Sequence, residues 1–371
     1  MARKAGDLGL FGAWLNSRYP DRQRIEFAAE LEDLGFRTIW LGGGREPVGE
    51  LRLHEAALRA TREATIVPAI INMWKEPAEI VAEGYRRVRS EFGDRFLLGI
   101  GADQPEGNAR SERPYAKLAD YLDRLDDSGV PVGDRVLAAL SPKTLSPAGA
   151  RSASARPYLT APAHTRAARE ILGPGPLLAP EHKVVLSADP VYARSIGRPM
   201  VRDPYLSLRN YTNNMLREGF TPGDIAGGGS DKLIDSLVLH GTPGQVLDGL
   251  RTHHAAGADH VAIQVVASPG QPDTDGRLPG PRQAAAGRSR RVTKDRFTAT
   301  IDELREQLAL VGAQATGPQG ACSRASCSPA PRAGDPVHPR PRQSASATST
   351  PPPTAPPGAP KSPGRSSAWA G

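Results

Sequence analysis

The chain has 371 residues, 39 of them glycine and 36 proline, is 39% apolar and carries a formal charge of +7. That size fits two domains or one large α/β barrel with appendages. The charge is uneven: residues 317–371 hold six basic residues against one acidic and 268–316 eight against six, while 1–267 balances 33 against 33. The basic excess therefore belongs to the tail and gives no warrant for a nucleic-acid-binding surface on the folded part.

No signal peptide is readable in the first residues. From there to about residue 267, short apolar, β-branched or aromatic runs alternate with longer amphipathic ones, the pattern of βα units on a parallel sheet. The runs predict strands at Leu8–Leu15, Arg37–Leu41, Thr65–Met73, Arg95–Ala102, Arg135–Leu140, Arg156–Leu159, His182–Ser187 and Asp259–Val266. Eight is the number that closes a TIM (β/α)8 barrel.

Between the strands, Ile25, Ala28, Ala29, Leu31 and Leu34 share one stripe of a helix over Arg22–Leu34, stopped by Gly35. Glu76-Pro77 opens a second helix with Ile80, Val81, Tyr85 and Val88 turned inward. Pro147 and Gly149 predict an interruption of the helix after strand five. Asp189 precedes Pro190 as a helix cap, and Thr242-Pro243 begins a helix to Ala256. Gly197–Ser230 is too long for a connecting loop and reads as an insertion after strand seven, over the barrel mouth, with Gly227-Gly228-Gly229 as its hinge.

Beyond residue 267 the pattern is lost. Residues 268–316 read as an atypical linker in which Phe297, Ile301, Leu304, Leu308 and Val311 recur at helical spacing. Residues 317–371 hold thirteen of the prolines among Ser, Ala and Thr and read as a disordered tail. Both cysteines, Cys322 and Cys327, lie in it without a second pair, so neither disulfides, catalytic thiols nor a zinc site are expected in the body. No uncharged apolar run approaches the roughly 20 residues of a membrane span, and a cytoplasmic protein without a membrane partner is expected.

A barrel carries its chemistry on the loops after the strands. The titratable residues there are few: Asp103, Lys143, His164 and Asp189. Asp103 is the one candidate for a catalytic role, and His164-Thr165 opens the helix Arg166–Leu172 as a candidate anion site. His253 and His254 read as surface or packing residues. No HExxH, GxSxG or P-loop motif occurs, and no metal site is expected; Gly42-Gly43-Gly44 and Gly99-Ile100-Gly101 do not make GxGxxG. Such glycines suit close approach of backbone to a flat cofactor, and an apolar mouth beside one anion-binding helix start suits a phosphate-bearing redox cofactor that supplies its own reactivity. Trp14, Trp74 and Tyr211 point to an aromatic-lined pocket for a small-molecule substrate.

The segments IINMW (70–74), LLGIGAD (97–103), VLAALSPKTL (136–145), RPYLTAPAHTRAAREILGPG (156–175), APEHKVVLSADP (179–190), RPMVRDPYLSLRNYTNNMLREGF (198–220) and HGTPGQVLDGLRTHHAAGADHVAIQV (240–265) resemble, in order, the luciferase-like flavin and deazaflavin oxidoreductases. Within these they look like the actinobacterial coenzyme F420-dependent subgroup. The resemblance implies a deazaflavin across the C-terminal barrel mouth, hydride transfer at its C5 carbon, and a non-prolyl cis peptide near Ile70, Ile71 or Asn72. It implies cofactor contacts from Ile71, Asn72, Ala102, Asp103, Tyr158, Leu159, His164 and Thr165, with the phosphate between Tyr158 and Thr165. Pairing into a homodimer is also implied. Three features depart from the family: Gln104 stands where a His is common, Pro147 and Gly149 interrupt the helix after strand five, and Arg156 stands where a small residue and a His precede Pro-Tyr-Leu. The alternatives are a flavin mononucleotide (FMN)-dependent monooxygenase of the same fold and a non-catalytic deazaflavin-binding protein.

Overall fold

The structure, a computed structural model, describes residues 8–17, 19–43, 48–102 and 114–266. Asp103, Gln104, the 268–316 segment and the tail with Cys322 and Cys327 lie outside the described residues. Strands β1 (Phe11–Leu15), β2 (Thr38–Gly42) and β3 (Thr65–Ala69) sit at one side of a six-stranded sheet of order β10-β9-β11-β1-β2-β3. A second sheet runs β4 (Ile71–Asn72), β5 (Leu98–Gly101), β6 (Arg135–Leu137), β7 (Ser154–Ala155) and β8 (Leu177–Leu178). The first sheet is completed by β9 (Glu181–Val185), β10 (Val238–His240) and β11 (Val261–Val265). Every pairing is parallel.

Two short breaks link the sheets. β3 passes into β4 across the cis peptide Ala69–Ile70, the place at which the family resemblance expects one. β8 passes into β9 across Ala179-Pro180, and here proline matters, because it has no N–H to give to a ladder. Ala179 still donates to the Ala155 carbonyl, Pro180 only accepts, from Ala262, and Glu181 donates to Pro157 O, all at 2.9 Å. The same constraint corrects strand six. Arg156 N still reaches Leu137 O at 2.8 Å, but Pro157 cannot donate, so the strand lies at Ser154–Ala155 and the predicted Arg156–Leu159 is mostly the loop after it.

Strands buried on both faces need two apolar sets, as parallel sheets do. Ile39, Leu41, Ile66, Leu98, Leu137 and Ile263 face the helices. Their alternates Trp40, Val67, Leu97, Val136, Leu177 and Ala262 form an inner cluster drawn from both sheets. Glycines let this interior close. A Cβ on Gly99 would land on the Pro68 carbonyl oxygen, a main-chain atom that cannot swing aside. Gly99→Ala is expected to cost about 3 kcal/mol or more by forcing the strands apart, read as a lowered urea midpoint, whereas Gly133→Ala, with nothing within 4 Å, should be near neutral; equal effects would reject this packing.

Helices α1 (Asp21–Asp33), α2 (Arg52–Ala60), α3 (Ala78–Phe92) and α4 (Pro114–Asp127) cover the outer face. The buried stripe of α1 is Arg24, Phe27, Ala28 and Leu31, one step round from the predicted one, because the Arg24 guanidinium turns inward to Gly42 O at 2.6 Å. In α3 the inward set is Val81, Ala82, Tyr85 and Val88, while Ile80 is 43% exposed. The expected interruption after strand five is absent: α5 (Pro142–Arg151) is continuous through Pro147 and Gly149. Its start is fixed by a reciprocal cap between Ser141 and Thr144, and Leu145 and Ala148 anchor its inner face. Such a cap offsets the hydrogen bond that Pro147 forfeits.

α6 (Pro162–Leu172) follows β7, and α7 (Pro190–Arg202) follows β9 with the Asp189 carboxylate accepting from Val191 N at 2.9 Å, as its cap position predicts. Gly197, the predicted start of the insertion, lies inside α7 and packs on Val238. The added segment begins after Arg202 and holds α8 (Arg209–Arg217), α9 (Pro222–Ile225) and α10 (Asp231–Leu237), which pack through Met215, Phe220, Leu233 and Leu237 on Leu159 and Val185. β10 and α11 (Pro243–Ala255) then lead into β11. No described helix is long and apolar enough to cross a membrane.

Candidate active site

The C-terminal ends of the strands bring Trp14, Gly42-Gly43, Ile70, Gly101-Ala102, Tyr158 and Gln264 toward one end of the fold. Asn72 spends its side-chain oxygen on Trp74 N at 2.9 Å and so shapes the turn after β4. Ile71 is fully buried in the helix-facing core, so only its backbone can face this end; Ile70 instead lies over Gly101, where a Cβ would strike its Cδ1. Ala102 is exposed, and Asp103 is beyond the described residues.

Tyr158 is the hub. Its hydroxyl donates to Gln264 Oε1 at 3.2 Å and accepts from Tyr205 of the added segment at 3.3 Å. Its ring stands 6.0 Å from Trp14 and carries the Lys183 ammonium 4.0 Å from its centroid. Burial pushes the phenol pKa of Tyr158 well above the ordinary value and raises that of Tyr205 too, so both are neutral O–H donors at neutral pH. Leu159, next along, has a left-handed backbone (φ 55°), and its amide donates to Glu181 Oε2 at 3.1 Å.

Glu181 and Lys183 are side by side on the inner face of β9, both fully buried, with Nζ 3.0 Å from Oε1. Arg156, 2% exposed, enters the same interior with its guanidinium 5.2 Å from the Trp40 ring and 5.5 Å from that of Tyr158. The opposite face of β9 carries His182, whose Nδ1 lies 2.9 Å from His253 Nε2; His253 Nδ1 lies 2.8 Å from Thr165 Oγ1. Thr165 is thus fully buried in a hydrogen-bond chain running from α6 through α11 to β9. His253 is the packing residue of its pair, and His254 bonds the Ala258 carbonyl at 3.0 Å. His164 reaches Leu140 O at 2.8 Å.

Two helix starts open near this end. That of α6 is occupied from within the chain: the Ala161 amide donates to Glu218 Oε2 at 3.2 Å, and Asn214 donates to the other oxygen. Desolvation pushes the Glu218 carboxyl up to about 7. That of α5 carries the exposed Lys143, 5.7 Å from the Tyr115 ring. Among the described residues no group of three or more His, Cys, Asp or Glu side chains could hold a metal ion.

The residues that sequence patterning leaves out are Glu181, Lys183, Gln264, Tyr205 and Glu218. A signal exists for the first two. In Glu181–Val185 the charged residues alternate with His182 and Val184 in a strand whose neighbours hold no Asp, Glu, Lys or Arg, and period-two charges within a doubly buried strand have to face the interior.

No family model matches the chain, and no curated protein matches it in sequence. Solved structures do match in fold. An F420-dependent secondary alcohol dehydrogenase in complex with an F420-acetone adduct is 14% identical, with a TM-score of 0.52 over 69% of this chain and 93% of that one. The coenzyme F420 dependent tetrahydromethanopterin reductase from Methanopyrus kandleri is 15% identical, with a TM-score of 0.54 over 82% and 97%. The oxygenating constituent of 3,6-diketocamphane monooxygenase from Pseudomonas putida, in complex with FMN, is 13% identical, with a TM-score of 0.54 over 70% and 92%. At these identities the likeness establishes the parallel α/β fold.

Proposed function

We propose that the chain is an oxidoreductase of the luciferase-like class, its two sheets forming one (β/α)8 barrel, that moves a hydride between coenzyme F420 and a small organic substrate beneath the segment after Arg202. One observation carries the reading. The strand-end face offers backbone, aromatic rings and neutral hydroxyls, and its buried charges are committed to the interior, so the redox chemistry has to come from a cofactor.

The residues present fit such a group. Gly42, Gly43 and Gly101 leave the β2 and β5 ends without side chains, and the indole N–H groups of Trp14 and Trp74 and the Thr160 hydroxyl are buried without partners. When bound, a deazaflavin supplies a carbon, C5, that accepts or releases a hydride. The backbone of Ile71, Asn72 and Ala102 would flank one edge of the ring and Tyr158 and Leu159 the other. Tyr158 would present its ring and the remaining lone pair of a hydroxyl oxygen held in place by Gln264 and Tyr205. The cofactor's acidic end would meet the Glu218 carboxyl, which accepts from the Ala161 amide just before α6, and this favours the α5 start with Lys143. On this reading His164 and Thr165 position the α6 turn from behind.

FMN is the second reading, favoured by the fold it shares with the FMN-bound monooxygenase constituent. Fluorescence titration of the full chain with F420 and, separately, with FMN decides between them. Saturable F420 binding without oxygen uptake is expected. FMN binding with oxygen consumption in the presence of a reductant would install the monooxygenase, binding of F420 without turnover of any small alcohol, carbonyl compound or organic acid screened would leave a carrier, and a folded chain that binds neither would end both enzyme readings.

A further inference from the structure

The buried interior holds an unbalanced charge. Lys183 is neutralised by Glu181 at 3.0 Å, whereas among the described residues no carboxylate forms an ion pair with Arg156. Its Nε and Nη2 atoms are buried and have no hydrogen-bond partner among the described residues. Burial works against its charge, and Glu181 nearby works for it. These two nitrogens are the adjacent donors of a guanidinium, the side-on fork whose parallel N–H groups match the two oxygens of a carboxylate. The rings of Trp40 and Tyr158 flank the fork, and Tyr205 and Tyr211 are within electrostatic reach.

We infer that Arg156 is the anchor of a monocarboxylate-binding position on the inner side of Tyr158, and that the substrate taken there is a small organic acid with an apolar body. One carboxylate entering beside Arg156 brings two buried cations and one anion to neutrality. The aromatic walls accept the body of the acid and reject a second charge. Tyr158 is half-buried, with its ring 5.5 Å from the Arg156 guanidinium. The inference rests on the oxidoreductase reading for the word substrate only; the binding position stands on the charges and the fork.

The test therefore uses no cofactor. The full-length chain is titrated with sodium formate, acetate and benzoate against sodium chloride at matched ionic strength, following melting temperature and tryptophan fluorescence. Expected is a saturable rise in melting temperature with carboxylates, strongest for benzoate and absent with chloride. Arg156→Met should melt higher than the parent without ligand, having lost an unpaired buried charge, and should show no carboxylate response. Arg156→Lys keeps the charge and loses the fork, so its affinity should fall at least tenfold; it serves alone if the Met variant does not fold. An equal response to chloride, meaning a counter-ion only, a carboxylate response unchanged in both variants, or none in the parent would each overturn the inference. Loss of F420 binding elsewhere would leave it standing.

Discussion

Taking the pH from 7.5 to 5 is expected to lower the stability of the folded chain by about 6 kcal/mol, a large share of what a folded domain has. Four imidazoles are responsible. Burial is the first cause in each: it holds His54 at about 3, His182 at about 4, His253 at about 2 and His260 at about 4, all below the ordinary 6.5. Geometry agrees. His54 has no partner for either nitrogen and sits near Arg24. His260 Nε2 accepts the Trp40 indole N–H at 3.0 Å, so a proton there would displace a buried bond. His182 and His253 face each other and have one proton to share between the facing nitrogens.

Because the folded values lie below the unfolded one, the unfolded chain takes up protons first as the pH falls. The stability is fully present above pH 6.5 and is lost downward to the folded value of each group, about 4 for His182 and His260, about 3 for His54 and about 2 for His253. At about 1.4 kcal/mol per pH unit, each imidazole accounts for about 2 kcal/mol by pH 5. Glu218 works the other way. Its folded value of about 7 is above the unfolded 4.5, so its protonation gains back about 2 kcal/mol over the same interval. Urea midpoints at pH 7.5, 6 and 5 measure the sum, and Glu218→Gln should make the acid loss steeper. A midpoint that stays level down to pH 5 would contradict the burial of these four side chains as neutral groups.

Glu181→Gln should be the most damaging single substitution in the interior, at about 3–5 kcal/mol. It leaves Lys183 and Arg156 as two buried cations without a buried anion and weakens the acceptor that holds the Leu159 amide in its left-handed turn. Removing the whole pair is milder, because an apolar replacement of both partners has no charge to desolvate. Glu181→Gln with Lys183→Met should therefore recover more than half of the loss. If the single variant loses less than about 1 kcal/mol in urea, or if the double is worse than the single, the ion pair is not what fixes this interior.

Much of the fold is legible in the order of residues. Short runs such as Thr38-Ile-Trp-Leu and Val261-Ala-Ile-Gln-Val are largely apolar on both faces and separated by caps such as Asp189 and Thr242, so their existence as buried parallel strands is read from local pattern. What pattern misses is decided by partners distant in sequence. Pro157 and Pro180 end a strand or change its partner only because of which carbonyls lie beside them. The exception is local: α5 survives Pro147 and Gly149 because Ser141 and Thr144, three residues apart, cap its start. Glu218 reaches α6 from 57 residues away, and Gln264 meets Tyr158 across 106, so neither could be read from spacing. Tyr158 and Leu159 stand in the sequence as strand-end residues, while their dependence on Glu181 and Tyr205 is a property of the closed fold.

The hydroxyl contact between Tyr205 and Tyr158 also makes the added segment visible to light. Tyr205 stacks edge-on against Tyr211 at 4.8 Å, and Tyr158 lies 6.0 Å from Trp14, so four rings from the segment and the strand ends share one asymmetric environment. Coupled aromatic transitions at such separations generate near-ultraviolet circular dichroism, whose sign and size depend on the angles between the rings. Any event that lifts the segment from the strand ends changes those angles, and the chain itself then reports the event without an attached probe.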